Sequence, residues 1–176
     1  MKATLRLGSG AGFAGDRLDA AAELAEHGAL DYLVLECLAE RTIALAQLRR
    51  RRDASAGYDT RLVARMESLL PIMQRRCFRI VSNFGAANPL AAADIIVEVA
   101  RKLGIAVKVA AVTGDDVLSL IDPGALSLES GVPLSDHGPL VSANAYLGAD
   151  ALLPALQTGP VFTQSAALVG LMRFAS

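Results

Sequence analysis

Two groups of residues in this sequence could do chemistry. The first is a set of carboxylates, Glu36, Glu40, Asp115 and Asp116, each placed just after an apolar run. Carboxylates on neighbouring loops can work as general acid and base, or hold a divalent metal through oxygen ligands. The residues alone leave that choice, and the metal, open. The second is the glycine-rich stretch Gly8-Ser9-Gly10-Ala11-Gly12-Phe13-Ala14-Gly15-Asp16-Arg17. It follows the strand-like run Leu5 to Leu7 and precedes Leu18, Ala21, Ala22 and Ala25 at helical spacing. Glycine lets the backbone lie against a ligand, and free N–H groups at a helix start favour an anion. Gly8, Ser9, Gly10, Gly12, Gly15, Asp16 and Arg17 are therefore candidate ligand contacts. A tight strand-to-helix turn with Asp16 as helix cap is the competing explanation.

Gly10 to Gly15 also fits G-x-G-x-x-G, and Glu36 follows about 20 residues later, where dinucleotide folds place a ribose-binding acid. Phe13 is bulky inside such a loop, and Asp16 sets a negative charge beside the pyrophosphate position. NAD or FAD is thus the less favoured ligand. Ser9 has no base partner and does not sit in a G-x-S-x-G elbow. His137, in a loop, is a weaker candidate for acid/base work.

These residues must be positioned by alternating strands and helices. Gly28 ends a first helix over 17–27. Residues 31–37 form a second strand, continuously apolar as in a strand buried on both faces. A helix over 39–51 turns Ile43, Leu45 and Leu48 inward and ends in the basic run Arg49 to Arg52, read as a solvated helix end. Asp59 or Thr60 caps a third helix with Leu62, Met66, Leu69 and Leu70 on its apolar side, and Pro71 kinks or divides it. A third strand, 78–81, leads into Asn83-Phe84-Gly85-Ala86-Ala87-Asn88-Pro89. Asn88 as cap and Pro89 as first helical residue start a helix to Leu103. A fourth strand over 106–112 precedes Thr113-Gly114-Asp115-Asp116. Irregular chain follows, then a fifth strand over 140–143 ending at Asn144, a helix over 149–156, a sixth strand over 160–162 and a last helix over 166–174.

The predicted fold is α/β: a single domain with a largely parallel sheet and helices on both faces, a Rossmann-like three-layer sandwich. The chain of 176 residues is ample for one core but short for a full eight-stranded barrel. In such a sheet the strand ends share one edge, where ligands bind. That brings together the glycine stretch, Glu36, Asn83, Gly85, Asn88, Thr113, Gly114, Asp115, Asp116 and Asn144.

A formal net charge of −1 gives no general attraction to nucleic acid or membrane. No charge-free apolar run reaches membrane-spanning length, and no secretory leader is recognisable. Cys37 and Cys77 have no metal-ligand spacing and suggest no disulfide framework. A cytoplasmic setting and a small-molecule partner are expected.

Five segments carry a resemblance: Gly8 to Arg17, Tyr32 to Thr42, Asn83 to Pro89, Val112 to Asp116 and Ser142 to Gly148. In this order the chain resembles the acyclic terpene utilisation family, AtuA. The resemblance implies a bacterial protein in the breakdown of citronellol- or geraniol-type terpenes, with a CoA-linked substrate. The function expected is the N-terminal part of an enzyme acting on terpenoid or related acyl-CoA intermediates. A non-catalytic subunit or assembly partner is the alternative. Because the family implies a longer protein, residues 158–176 are expected to be a divergent or truncated end. Apolar surface left uncovered there implies self-association as a homo-oligomer.

Overall fold

The computed structural model describes residues 4–157 and 162–165. Five strands form one parallel sheet: β1 (Leu7–Ala11), β2 (Tyr32–Leu35), β3 (Arg79–Ser82), β4 (Val109–Val112) and β5 (Phe162–Ser165), in the order β1-β2-β3-β5-β4. Between them run α1 (Leu18–His27), α2 (Glu40–Arg52), α3 (Leu62–Arg76), α4 (Pro89–Lys102) and α5 (Leu153–Gln157). The α/β class, the single parallel sheet and the alternation of helices with strands follow the sequence expectation.

The main core lies between the sheet and three long helices. α1 packs on α3, and α3 on α4. Leu33, Leu35 and Ile80 from the sheet meet Leu62, Met66, Leu69, Leu70 and Met73 of α3, with Ala92, Ile96 and Val99 of α4. The opposite side of β1 is bare, with Leu7 67% exposed and Ser9 exposed; Tyr32 and Val34 are half-buried. α2 belongs to neither layer. It joins a small separate cluster of Leu38, Ala46, Ala86 and Ala87, all from strand-end segments or α2 itself. It therefore lies across the edge formed by the C-terminal ends of the strands.

Several local expectations change. β1 extends through the glycines, so Gly8, Ser9 and Gly10 are strand residues rather than loop. The reason is packing. A Cβ on Gly8 would stand 2.7 Å from Leu30 Cδ1, and one on Gly10 2.8 Å from Leu35 Cδ2. Glycine here lets the helix side of the strand close on leucines. Asp16 is not the cap of α1. Arg17 holds that position without a side-chain cap bond.

In α2 the inward residues are Ala46 and Gln47, with Ile43 packed beside them, whereas Leu45 and Leu48 are 43% and 42% exposed. α3 runs through Pro71 unbroken. An interior proline costs about 3 kcal/mol, which the buried face of Met66, Leu69, Leu70, Ile72 and Met73 offsets. Its N-cap position is Arg61, yet Asp59 still serves the turn, accepting the Arg61 N–H on Oδ1 at 2.8 Å. Asn88 caps α4 as expected, its Oδ1 accepting the Ala91 N–H at 3.3 Å, with Pro89 first in the helix.

Residues 140–143 form no strand. The chain just after it makes an isolated antiparallel bridge, Asn144 with Asp116. The sheet position between β3 and β4 goes to residues 162–165, so the later expected strand over 160–162 is displaced toward the C-terminus. The expected helix over 166–174 lies outside the described residues. No helix of the described residues is long and apolar enough to cross a membrane.

Candidate functional site

The strand ends and α2 enclose a cleft of about 170 Å³. One wall is the start of α2: Leu38, Ala39, Glu40, Ile43 and Ala44. The other is Asp115 with Ser142, Asn144, Ala145 and Tyr146. The floor polar group is Asp115, which is 5% exposed. Removing a carboxylate from water disfavours its charged form. Burial accordingly pushes the Asp115 carboxyl above the usual range, only partly opposed by the hydrogen bond from Asn144.

A chain of side-chain bonds fixes that carboxyl. Gln47 Nε2 donates to Asn144 Oδ1 at 3.3 Å, and Asn144 Nδ2 donates to Asp115 Oδ2 at 2.8 Å. The backbone reinforces it: Ala145 N–H donates to Asp115 O at 2.7 Å and Val117 N–H to Ala143 O at 2.9 Å. Gln47 is 6% exposed and comes from the buried side of α2. Across the cleft, the Tyr146 hydroxyl donates to Glu40 Oε1 at 2.8 Å. Glu40 sits in the first turn of α2. Its carboxyl is held below the usual range by a backbone hydrogen bond and by Tyr146.

Asp116 faces away from this floor. It pairs with Arg50 at 3.5 Å, and Arg50 also donates to Ala87 O at 2.7 Å. Arg49 donates to Tyr58 O at 3.2 Å. These two arginines are tethers of α2 and not a purely solvated helix end. Thr113 and Gly114 are exposed, and Gly114 has φ 116, a conformation that suits glycine.

Glu36 and Asn83 meet each other. Asn83 Nδ2 donates to Glu36 Oε1 at 2.7 Å, which also accepts the Leu38 N–H at 2.9 Å; Asn83 Oδ1 accepts the Cys37 N–H at 2.7 Å. This network holds the chain where it leaves β2. Glu36 is not among the residues lining the Asp115 cleft. Gly85 is buried and its carbonyl accepts the Asn88 N–H at 2.9 Å. The Asn88 amide donates to Ala54 O and Ala56 O.

The glycine segment forms a shallower hollow lined by Ser9, Gly10, Ala11, Gly12, Asp16, Arg17 and Ala20. Several of its polar groups are engaged. Gly12 N–H donates to Asp16 Oδ2 at 2.6 Å, Arg65 Nη2 donates to Ala14 O at 2.7 Å, and Arg61 Nη1 donates to Asp16 O at 2.9 Å. Gly15 lies under the Phe13 ring, where a Cβ would come to 2.4 Å. Gly8, Gly10, Gly12 and Gly15 do not have positive φ. In the described sheet β1 pairs with β2 alone and so lies at its edge. A dinucleotide fold instead puts this loop at a central reversal of strand order.

The structure thus brings Asp115 and Asn144 into one cleft, links Glu36 with Asn83 beside it, and sets the glycine segment apart. His137 is exposed and shares a 2.8 Å hydrogen bond with Ser130. Among the described residues no group of three or more His, Cys, Asp or Glu could hold a metal ion. Sequence reasoning missed Leu38, Gln47 and Arg50. Gln47 carried a signal: it lies four residues after Ile43, a polar side chain on the buried stripe of a helix.

A family model described as "Acyclic terpene utilisation family protein AtuA" matches residues 5–161 of the chain. No curated protein and no solved structure matches it.

Proposed function

The chain belongs to the acyclic terpene utilisation (AtuA) family, and from that premise we propose that the Asp115 cleft is the small-molecule site of an enzyme acting on terpenoid or related acyl-CoA intermediates. One observation carries the reading: a buried carboxyl whose proton is retained to higher pH than usual opens on a cleft walled by Leu38, Ala39, Ile43 and Ala44. Such a group donates or accepts a proton close to an apolar substrate. Asn144 donates to Oδ2 and so orients the Asp115 carboxyl in the cleft. Gln47 fixes the Asn144 amide so that its donor end meets Asp115. A 150 Å³ apolar cavity holds a ring the size of benzene. A cleft of about 170 Å³ therefore takes the reacting end of a longer ligand, with the remainder outside. Glu40 and Tyr146 meet across its mouth.

In this account Asp115 is the acid/base, Asp116 a tether of α2 through Arg50, and Glu36 a brace for the turn after β2. The three-layer arrangement belongs to the same proposal. β5 returns between β3 and β4, and a right-handed return carries the α5 segment to the face opposite α1, α3 and α4. A second reading, an assembly subunit or homo-oligomer, draws on Leu5 and Leu7, 62% and 67% exposed beside the open edge of β1.

Thermal unfolding with added terpenoid acyl-CoA, free CoA, NAD and divalent metals tests the proposal. A ligand present at about 100 times its Kd adds about 2.7 kcal/mol to the folded state. The acyl-CoA should raise the Tm of the natural chain and not that of Ala44→Trp, which fills the cleft from the exposed side of α2. A rise with NAD instead, or one indifferent to Ala44→Trp, would overturn the assignment.

A further inference from the structure

Charge is divided unevenly along this chain. Between Lys108 and Arg173 there is no lysine or arginine. Within that stretch, residues 117–141 leave the sheet edge as an arm whose formal charges are Asp122, Glu129 and Asp136. The arm is tied internally. Ser127 N–H donates to Val132 O, Leu134 N–H to Ala125 O and Ser135 N–H to Pro123 O, each at 2.9 Å, and Leu126 bridges Pro133. Yet Leu120 is 79% exposed, Leu126 64% and Leu128 fully. A hydrogen-bonded arm that displays leucines to water gains free energy when another surface covers them.

The outer side of α2 carries the complement. Arg41, Leu45, Leu48 and Arg52 are all exposed and recur at helical spacing, so they form one stripe, with Arg51 exposed beside it. Arg49 and Arg50 are engaged by Tyr58 O, Ala87 O and Asp116. Arg41, Arg51 and Arg52 have no ion pair among the described residues. One surface is thus apolar and acidic, the other apolar and basic.

We infer that the arm of one copy of this chain docks on the outer stripe of α2 in a second copy. Leu126 and Leu128 cover Leu45 and Leu48, and the arm's carboxylates meet the free arginines at the rim, where complementary charge sets register. The two surfaces lie on the same side of the molecule. Gln47 and Arg50 of α2 reach Asn144 and Asp116, which flank the arm. Each copy can therefore give an arm and receive one about a two-fold axis, which closes the assembly as a dimer. This contact is separate from the open edge of β1 and from any ligand assigned to the Asp115 cleft.

Sedimentation velocity of the whole chain over about 1–100 µM, at about 0.1 M and about 1 M salt, tests it. A dimer weakened by salt is expected. Leu128→Asp and Leu48→Asp should each raise its Kd by about tenfold or more. Both side chains are exposed in the single chain, and an unchanged Tm of the monomer checks that each variant folds. Reversing the stripe with Arg41→Glu and Arg52→Glu, or the arm with Glu129→Lys and Asp136→Lys, should weaken the dimer. All four changes in one chain should restore it. A monomer throughout, a dimer lost with Leu7→Asp but kept with Leu128→Asp, or no recovery when the reversals are joined would overturn the inference.

Discussion

The glycine segment after β1 and the edge crossed by α2 make opposite use of polar groups. In the glycine segment several polar groups have protein partners: Asp16 takes the Gly12 N–H, Arg61 donates to the carbonyl of Asp16 and Arg65 to that of Ala14. Its strand glycines serve close packing on Leu30, Leu33 and Leu35. Along the α2 edge, burial pushes the Asp115 carboxyl above its usual range, and Asp59 Oδ2, Arg65 Nε and Arg65 Nη1 lack hydrogen-bond partners. Groups held away from their preferred state retain free energy that a ligand can recover.

The contrast can be broken at four points, taken from the largest effect down. Asp59→Ala leaves Arg65 buried without its countercharge and should cost about 3–5 kcal/mol in urea unfolding. A loss below about 1 kcal/mol would mean that the pair is already relieved by something else. Gly10→Val forces a side chain against Leu35 and Leu33 and should cost about 1–3 kcal/mol. Gly12→Val meets only Asp16 Oδ2, at 3.7 Å from its Cβ, and should change stability far less. Equal losses would show that the two glycines do the same work.

The third point concerns pH. The folded-state pKa of Asp115 is raised above the unfolded value. Between the two, the folded chain binds more protons, so this group's contribution to stability falls as pH rises through that window and is restored below it. Asn144→Ala removes the bond that favours the carboxylate and should raise the Asp115 pKa further, read by carboxyl ¹³C NMR. A fall would show that Asn144 is not its partner. The smallest effect is kinetic. Tyr146→Phe removes the exposed contact with Glu40 and should speed ligand release while leaving the Tm in place; slower release would contradict a closing role.

Much of this was legible in the sequence where one physical cause dominates. The apolar face of α3 follows from Leu62, Met66, Leu69 and Leu70 at helical spacing, and Asn88-Pro89 marks the start of α4. Asp115 could be placed at the sheet edge from the strand before it, whereas Asn144 reaches it without the strand expected over 140–143. Long-range effects were not legible. Gly8 and Gly10 have the composition of a ligand loop, and only Leu30 and Leu35 reveal why a side chain is excluded there. Leu45 and Leu48 are apolar enough to face inward, but α2 lies on an edge where small residues make the contact. The segment over 140–143 has strand composition, yet the sheet position goes to residues 162–165. The pairing of Asp59 with Arg65 joins a loop residue to a helix residue that no spacing rule links.

The central claim is that ligand binds beneath α2 and not at the glycine segment. Isothermal titration of a terpenoid acyl-CoA into the natural chain, Ala44→Trp and Gly12→Val tests it most directly. The account predicts that Ala44→Trp loses binding and Gly12→Val keeps it. Loss in Gly12→Val with binding intact in Ala44→Trp would contradict it and return the site to the glycine segment.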